Sequence, residues 1–349
     1  MNAFRPSVEV RALADRLAPA LGLRSRELFI KPDLAFACER HRVAPLLQRG
    51  LALSGYAEDK GFAAGLALFS QRNALQVIRQ QAAAKRVAQL LVEQGIGITE
   101  IKGTQLGLML YGEASLRQSR DVDFLVEAGN IGKAIGIVAR AGYHNIRGDP
   151  LSENVASAIL KFHREVEIRD PLSNIVIELH SRVLDRPPPA WDDAQMLEEG
   201  LDLNSPRYIL YLILHGAGAQ WNRLKWLADL AMIVRKVDGD VARATVELAK
   251  ELGCMPALAA SLEACATLWE LDEMQAWRIA FDSSGLDRRT EAHLESFTLA
   301  LNSTGTLSRR RLLARRLEIE RVPTLFGEAP PARLSAIGKR AALWLLRRL

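Results

Sequence analysis

The 349-residue sequence predicts an α+β protein. A small mixed-sheet domain over residues 96–186 is set between a helical N-terminal region, 1–95, and a helical domain, 187–300, with basic tail helices over 301–349. Three observations carry this expectation. Before residue 96, Ala, Leu, Gln and Arg dominate at helical spacing. From Ile96 the pattern turns to alternation, giving strand, helix, strand, helix and hairpin in succession. After Pro187-Pro188-Pro189 the helical pattern returns.

Leu75, Ile78, Ala82, Val87, Leu90 and Leu91 mark a helical face, and Gly95-Ile96-Gly97 supplies its C-cap. Residues 96–101 alternate as a strand, Lys102-Gly103-Thr104 makes a tight turn, and 105–111 form a short helix. Residues 121–127 are a second strand, and 131–141 an amphipathic helix ended by Gly142. Residues 165–169 and 174–182, joined by Asp170-Pro171-Leu172-Ser173, form a hairpin. Ser205-Pro206 opens a long helix with proline in its first turn, 221–237 is another, and more helices fill 240–300. Residues 301–308 are a polar link, and there is no internal repeat.

Apolar residues at 49% and charged residues at 25% are ordinary for a globular protein with a large core. Cys38, Cys254 and Cys265 lack C-x-x-C spacing and are odd in number. They argue for reduced thiols in a cytoplasmic protein, and against a disulfide framework or a zinc ribbon. The N-terminus lacks the apolar stretch of a secretory signal, and no apolar run is long enough to span a bilayer. The net charge of +5 is uneven: residues 309–349 carry +8, which leaves −3 for the rest. The candidate catalytic region is therefore not a basic nucleic-acid platform.

The candidate chemistry lies in Arg120-Asp121-Val122-Asp123-Phe124-Leu125-Val126. A strand alternates its side chains, so Asp121 and Asp123 point to one face and repel each other unless a cation lies between them. Mg²⁺ binds one or two carboxylates together with nucleotide phosphates. Lys102-Gly103-Thr104 stands between a strand and a helix, where a glycine lets backbone N–H groups approach a phosphate at the helix N-terminus. In Ile175-Val176-Ile177-Glu178-Leu179-His180, alternation aims Glu178 and His180 away from the main apolar face.

This arrangement resembles the nucleotidyltransferase superfamily of the DNA-polymerase-β type. That superfamily has a Gly-Ser or Gly-Gly turn opening a helix, then D-x-D on a strand, then a third carboxylate on a later strand. Gly103-Thr104 is a mild departure from the Gly-Ser form. The wording Lys102-Gly103, Tyr111-Gly112, Arg117 and Arg120 through Val126 is similar to a bacterial family of largely uncharacterised nucleotidyltransferases. Glu178-Leu179-His180, His215, the run Trp221 to Leu230, and Glu39-Arg40-His41-Arg42-Val43-Ala44-Pro45-Leu46 share that style. The resemblance implies two-metal nucleotidyl transfer with an NTP, ATP among them, as donor. Asp121 and Asp123 hold Mg²⁺ against the triphosphate. Glu178 completes the second metal site and helps activate the acceptor hydroxyl. Gly103 and Thr104 donate to the phosphates.

Each of these residues also has a plainer reading. Lys102 is a phosphate contact or a solvated strand-end lysine. Arg117 and Arg120 neutralise triphosphate charge, or Arg120 pairs with a nearby carboxylate. His180 and His215 are hydrogen-bonded structural residues or functional ones. Lys225 and Asp229 share a helix face. They form a helix salt bridge, or Lys225 reaches the triphosphate and Asp229 orients it, as the resemblance to abortive-infection-type toxins and antibiotic-modifying enzymes implies. Trp221 and Trp226 read as core. Leu334, Ile337, Ala341, Trp344, Leu345 and Leu349, with Arg and Lys around them, make an amphipathic tail that docks on the protein, lies on an acidic membrane surface, or grips RNA.

The expected function is transfer of an NMP from an NTP to a hydroxyl or phosphate on a small molecule or peptide. An RNA acceptor is less favoured, because the region around the carboxylates is not basic. Two alternatives stand beside it: an inactive member that binds nucleotide or a partner, and a toxin-like enzyme that modifies tRNA or protein.

Overall fold

The computed structural model describes residues 3–25, 34–55, 58–127, 129–151, 156, 160, 163–185, 187–279 and 288–303. The amphipathic tail expected near the C-terminus lies outside the described residues. Among the described residues two compact units emerge, one over residues 71–185 and a second over residues 3–70 and 187–303. Among the described residues, no helix is long and apolar enough to cross a membrane.

The first unit is built on a five-stranded mixed sheet, so the fold is α+β. Its strands are β1 (Ile98–Glu100), β2 (Asp121–Val126), β3 (His144–Asn145), β4 (Glu165–Arg169) and β5 (Val176–His180), in the order β1-β2-β5-β4-β3. β2 and β5 run parallel, and the other pairs are antiparallel. The expected strands are present: β4 keeps its expected bounds, and β1, β2 and β5 are shorter. β3 was not expected: two residues carry too little alternation to register, and pairing with Ile168 and Arg169 holds them.

Alternation divides the sheet into two faces. Val122, Phe124, Val126, Val166, Ile168, Ile177 and Leu179 join one apolar core. Two helices cover that face: α4 (Lys60–Glu93), through Ala83, Ala84, Val87 and Leu91, and α6 (Ile131–Arg140), through Ala134, Ile135, Ile137 and Val138. Each fully buried Val, Leu or Ile contributes about 1.5–3 kcal/mol. Leu75, Ile78 and Ala82, expected on the packing face of α4, are exposed. The buried side of that stretch instead holds Asn73, Val77 and Gln80, because its neighbour is a polar loop. Asn73 donates to the Ser115 carbonyl at 2.6 Å and Gln80 to the Ser119 carbonyl at 3.3 Å.

The end of α4 follows the expected cap. Gly95 takes φ +72°, its N–H donates to the Val92 carbonyl, and Ile96 N–H donates to the Leu91 carbonyl. This pairing satisfies carbonyls that the helix leaves open, with Ile96 and Leu91 both in the core.

The second unit is helical. It contains α1 (Val8–Leu17), α2 (Ala35–His41), α3 (Ala44–Ser54), α7 (Asp193–Glu199), α8 (Pro206–Gly218), α9 (Leu224–Lys236), α10 (Gly239–Glu251), α11 (Met255–Leu268), α12 (Met274–Ile279) and α13 (Arg288–Leu301). Ser205 caps α8, its Oγ accepting from Tyr208 N–H at 3.1 Å. The helix expected from Trp221 begins only at Leu224, because Gln220 and Trp221 have positive φ. The Trp221 indole lies over Gly216, where an added Cβ would come within 2.4 Å of the ring, and its Nε1 donates to Ser261 Oγ at 2.9 Å. A tryptophan held this way turns the chain before α9 can start.

The β4–β5 hairpin is tied to α4 through Asp170. Arg86 donates to both Asp170 oxygens, at 3.1 and 2.6 Å, and Ser173 donates to Oδ2 from its N–H and its hydroxyl. Burial pushes the Asp170 carboxyl up, but these donors outweigh it and hold its pKa below the ordinary value. Asp170→Ala is expected to lower stability by about 1–3 kcal/mol, read by denaturant unfolding. An unchanged midpoint would show that the tether carries no energy.

Candidate functional site

The face of the sheet opposite the core carries the polar side chains. Parallel pairing sets Asp123 opposite Glu178 and Leu125 opposite His180. Asp121 is two residues before Asp123, so all four polar side chains share this face. β4 runs antiparallel beside β5 and adds Glu167 opposite Glu178, and Glu165 opposite His180. Such crowding of carboxylates is unfavourable unless cations or protons enter.

Two side chains of this chain supply compensating charge. Lys102 Nζ lies 2.8 Å from Asp123 Oδ1, both residues being buried. His180, with 0% of its surface exposed, places Nε2 3.2 Å from Asp123 Oδ1 and 3.3 Å from Glu178 Oε2. Burial works against the Asp123 carboxylate, but Lys102 and His180 outweigh it and hold its pKa well below the usual range. Burial also works against a charged His180, and its bonds to Asp123 and Glu178 outweigh that and raise its pKa. Glu178 is pushed up to about 7, chiefly by burial and then by Asp123, Glu165 and Asp121, against the bond from His180. Ser119 Oγ donates to the Asp121 carbonyl and to its Oδ1, so the loop held by α4 also sets Asp121.

The turn beside these carboxylates opens α5 (Gly103–Tyr111). Gly103 has φ +69°, and a Cβ there would meet Glu100 Oε1 at 2.9 Å. Thr104 Oγ1 donates to Glu100 Oε1 at 3.2 Å, and the N–H groups of Thr104 and Gln105 also bond the Glu100 carboxyl. Glu100 therefore occupies the α5 N-terminus that the sequence reading reserved for phosphate. Burial raises its pKa to about 7 despite these donors. Arg117 is buried and donates from Nη1 to the Gly103 carbonyl at 3.2 Å, while Arg120 is exposed next to Asp121.

Asp123, Glu178 and His180 each offer one ligand atom, all within 4.8 Å of one another, a group that can hold a metal ion. A family model described as uncharacterised nucleotidyltransferase matches residues 32–270. The chain belongs to this family. No curated protein and no solved structure matches it.

Within the family match, two segments singled out in the sequence meet in the helical unit. Arg40 Nη1 donates to the Asn222 carbonyl at 2.8 Å, and Arg223 Nη1 donates to the Arg40 carbonyl at 2.6 Å. His41 Nδ1 accepts from Leu224 N–H at 3.2 Å, capping α9. Burial, with Arg40 and Arg223 beside it, pushes His41 down to about 3, so the imidazole stays a neutral acceptor. Lys225 and Asp229 lie buried on α9 in this unit, and Lys225 Nζ is 5.7 Å from the Trp226 ring centroid. Trp221 is core, as expected, and Trp226 is half-buried.

Sequence reasoning overlooked Glu165 and Glu100. The alternation of Glu165-Val166-Glu167-Ile168-Arg169 already placed Glu165 on the His180 side of a hairpin. Glu100 gave no such signal, since its bonds reach across a turn.

Gly103→Ala is expected to cost about 1–2 kcal/mol, because only glycine adopts this φ without strain and the new Cβ meets Glu100. Thermal unfolding measures it, and an unchanged transition would contradict the strained-turn account.

Proposed function

We propose that this chain is a divalent-metal-dependent enzyme that moves an NMP from an NTP to a hydroxyl or phosphate acceptor and releases pyrophosphate. The observation that carries the reading is the register of β2 with β5: Asp123 lies directly opposite Glu178, with Asp121 on the same face. The donor set fits a divalent ion, since the carboxylates of Asp123 and Glu178 and the imidazole of His180 lie together, with Asp121 on the same strand face. Asp121, Asp123 and Glu178 would hold divalent ions, which would supply charge neutralisation for the triphosphate and a lowered pKa for the acceptor oxygen.

The chain's own residues do the rest. Lys102 brings a buried positive charge to the carboxylates and toward the phosphates. Thr104 and the α5 amides receive a phosphate once Glu100 releases them. Glu178 helps activate the acceptor hydroxyl through the metal site that it completes. Arg120 offers an exposed cation next to Asp121. A small molecule or peptide is the preferred acceptor class.

A second reading has its own observation. Lys102 and His180 already neutralise Asp123, and Glu100 already fills the α5 N-terminus. That is the condition of a member that keeps the fold and binds a partner without chemistry.

Label transfer from α-phosphate-labelled NTPs to an acceptor panel, with Mg²⁺ and with Mn²⁺, separates the two readings. Asp121→Asn is expected to reduce transfer by at least about a hundredfold while leaving the fold intact, because Asp121 is the least buried member of the D-x-D pair. Normal transfer by both Asp121→Asn and Asp123→Asn would overturn the catalytic assignment.

A further inference from the structure

We infer that His180 is itself a metal ligand, so that Asp123, Glu178 and His180 form a mixed nitrogen–oxygen site for a first-row transition ion in preference to Mg²⁺. The inference rests on the reading above that the Asp123–Glu178 pair holds a divalent ion, and it concerns which ion and which further ligand.

Two of the three donor–donor distances are those of a ligand set, and all three donor atoms lie within 4.8 Å of one another. Ligands about 2.0–2.2 Å from an ion lie about 3.0 Å apart along an octahedral edge and about 3.4 Å along a tetrahedral one. His180 Nε2 stands 3.2 Å from Asp123 Oδ1 and 3.3 Å from Glu178 Oε2. The strand fixes these positions: His180 follows Glu178 by two residues on β5, and Asp123 is Glu178's register partner on β2. Three protein ligands also leave positions open for a substrate oxygen, as catalytic sites require.

The other side of the imidazole points the same way. A metal-bound histidine usually presents its second nitrogen to a carboxylate that fixes the ring. Here His180 Nδ1 lies 3.2 Å from Glu165 Oε2, and Arg164 Nε holds that same oxygen at 2.9 Å. Despite this proximity, neither Nδ1 nor Oε2 completes a hydrogen bond, although both are buried. The imidazole thus has Nε2 bonded to Asp123 and beside Glu178, and Nδ1 facing Glu165. As a ligand through Nε2, His180 would turn Nδ1 toward the Glu165 carboxylate, which stands where an orienting group belongs.

The donor chemistry then selects the ion. Mg²⁺ takes hard oxygen ligands and keeps much of its water, whereas imidazole suits later divalent ions and carboxylates suit Mn²⁺ as well. A site with one imidazole and two carboxylates therefore discriminates against Mg²⁺.

The test uses the full chain and Mn²⁺ as the probe. Electron paramagnetic resonance follows Mn²⁺ binding with and without ATP, and electron spin echo modulation reports nitrogen coupling to the bound ion. The expected result is Mn²⁺ bound with nitrogen modulation that changes when the protein is labelled with ¹⁵N-histidine. Mg²⁺ should displace it only at an excess of at least about tenfold. His180→Gln should abolish the modulation and weaken Mn²⁺ by at least about tenfold. The isotope experiment needs no variant, so a misfolded His180→Gln leaves the inference exposed to refutation. Mn²⁺ bound without nitrogen coupling would overturn the histidine ligand and leave the carboxylate site standing. No binding of Mn²⁺, with or without ATP, would overturn both.

Discussion

The parallel pairing of β2 with β5 forces two carboxylates, Asp123 and Glu178, into direct opposition on one face of a sheet. Like charges about 4 Å apart repel by about 4 kcal/mol at an effective dielectric near 20, a large fraction of a domain's stability. The strands cannot slip to relieve this. A one-residue shift of β5 would turn Ile177 and Leu179 out of the core, and one of β2 would turn out Val122 and Phe124. The apolar face therefore fixes the polar one. Lys102, His180 and the raised pKa of Glu178 are the chain's response to a charge problem that its core packing creates.

The same constraint accounts for the turn at Gly103. Lys102 reaches Asp123 only because the chain bends sharply after β1. The positive φ of Gly103 makes the bend, and Arg117 holds its carbonyl. Glu100 fills the amides that the bend exposes. An anion-binding helix start and a cation-demanding carboxylate pair thus sit side by side, each satisfied by a residue of the chain itself. A triphosphate with its metal ions carries both charges, negative for the α5 N-terminus and positive for the carboxylates. One ligand could relieve both internal substitutions together.

Much of this was legible in the sequence. Alternation alone separated Asp121 and Asp123 from Val122 and Phe124, and Glu178 and His180 from Ile177 and Leu179, and the core confirms that division. The Gly95 cap and the helix start at Ser205-Pro206 were legible because helix ends are local chemistry. Strand order and direction were not. Nothing in the run Glu165 to His180 says that β5 sits beside β2 or that the pairing is parallel, so the opposition of Asp123 and Glu178 came from the structure. Helical periodicity also misjudged Leu75 and Ile78, since it cannot see that α4 faces a polar loop there. The role of His41 as a cap for α9 was invisible for the same reason: its partner is Leu224, far along the chain.

The central claim is that this polar face binds a nucleotide together with a divalent ion. Calorimetric titration of ATP, GTP, CTP and UTP, with and without Mg²⁺ or Mn²⁺, tests it most directly on wild type and on the doubly substituted Asp121→Asn/Asp123→Asn chain. The account predicts binding of at least one NTP that depends on the metal and is lost in the double variant. Binding that ignores the metal, or that survives loss of both aspartates, would contradict it.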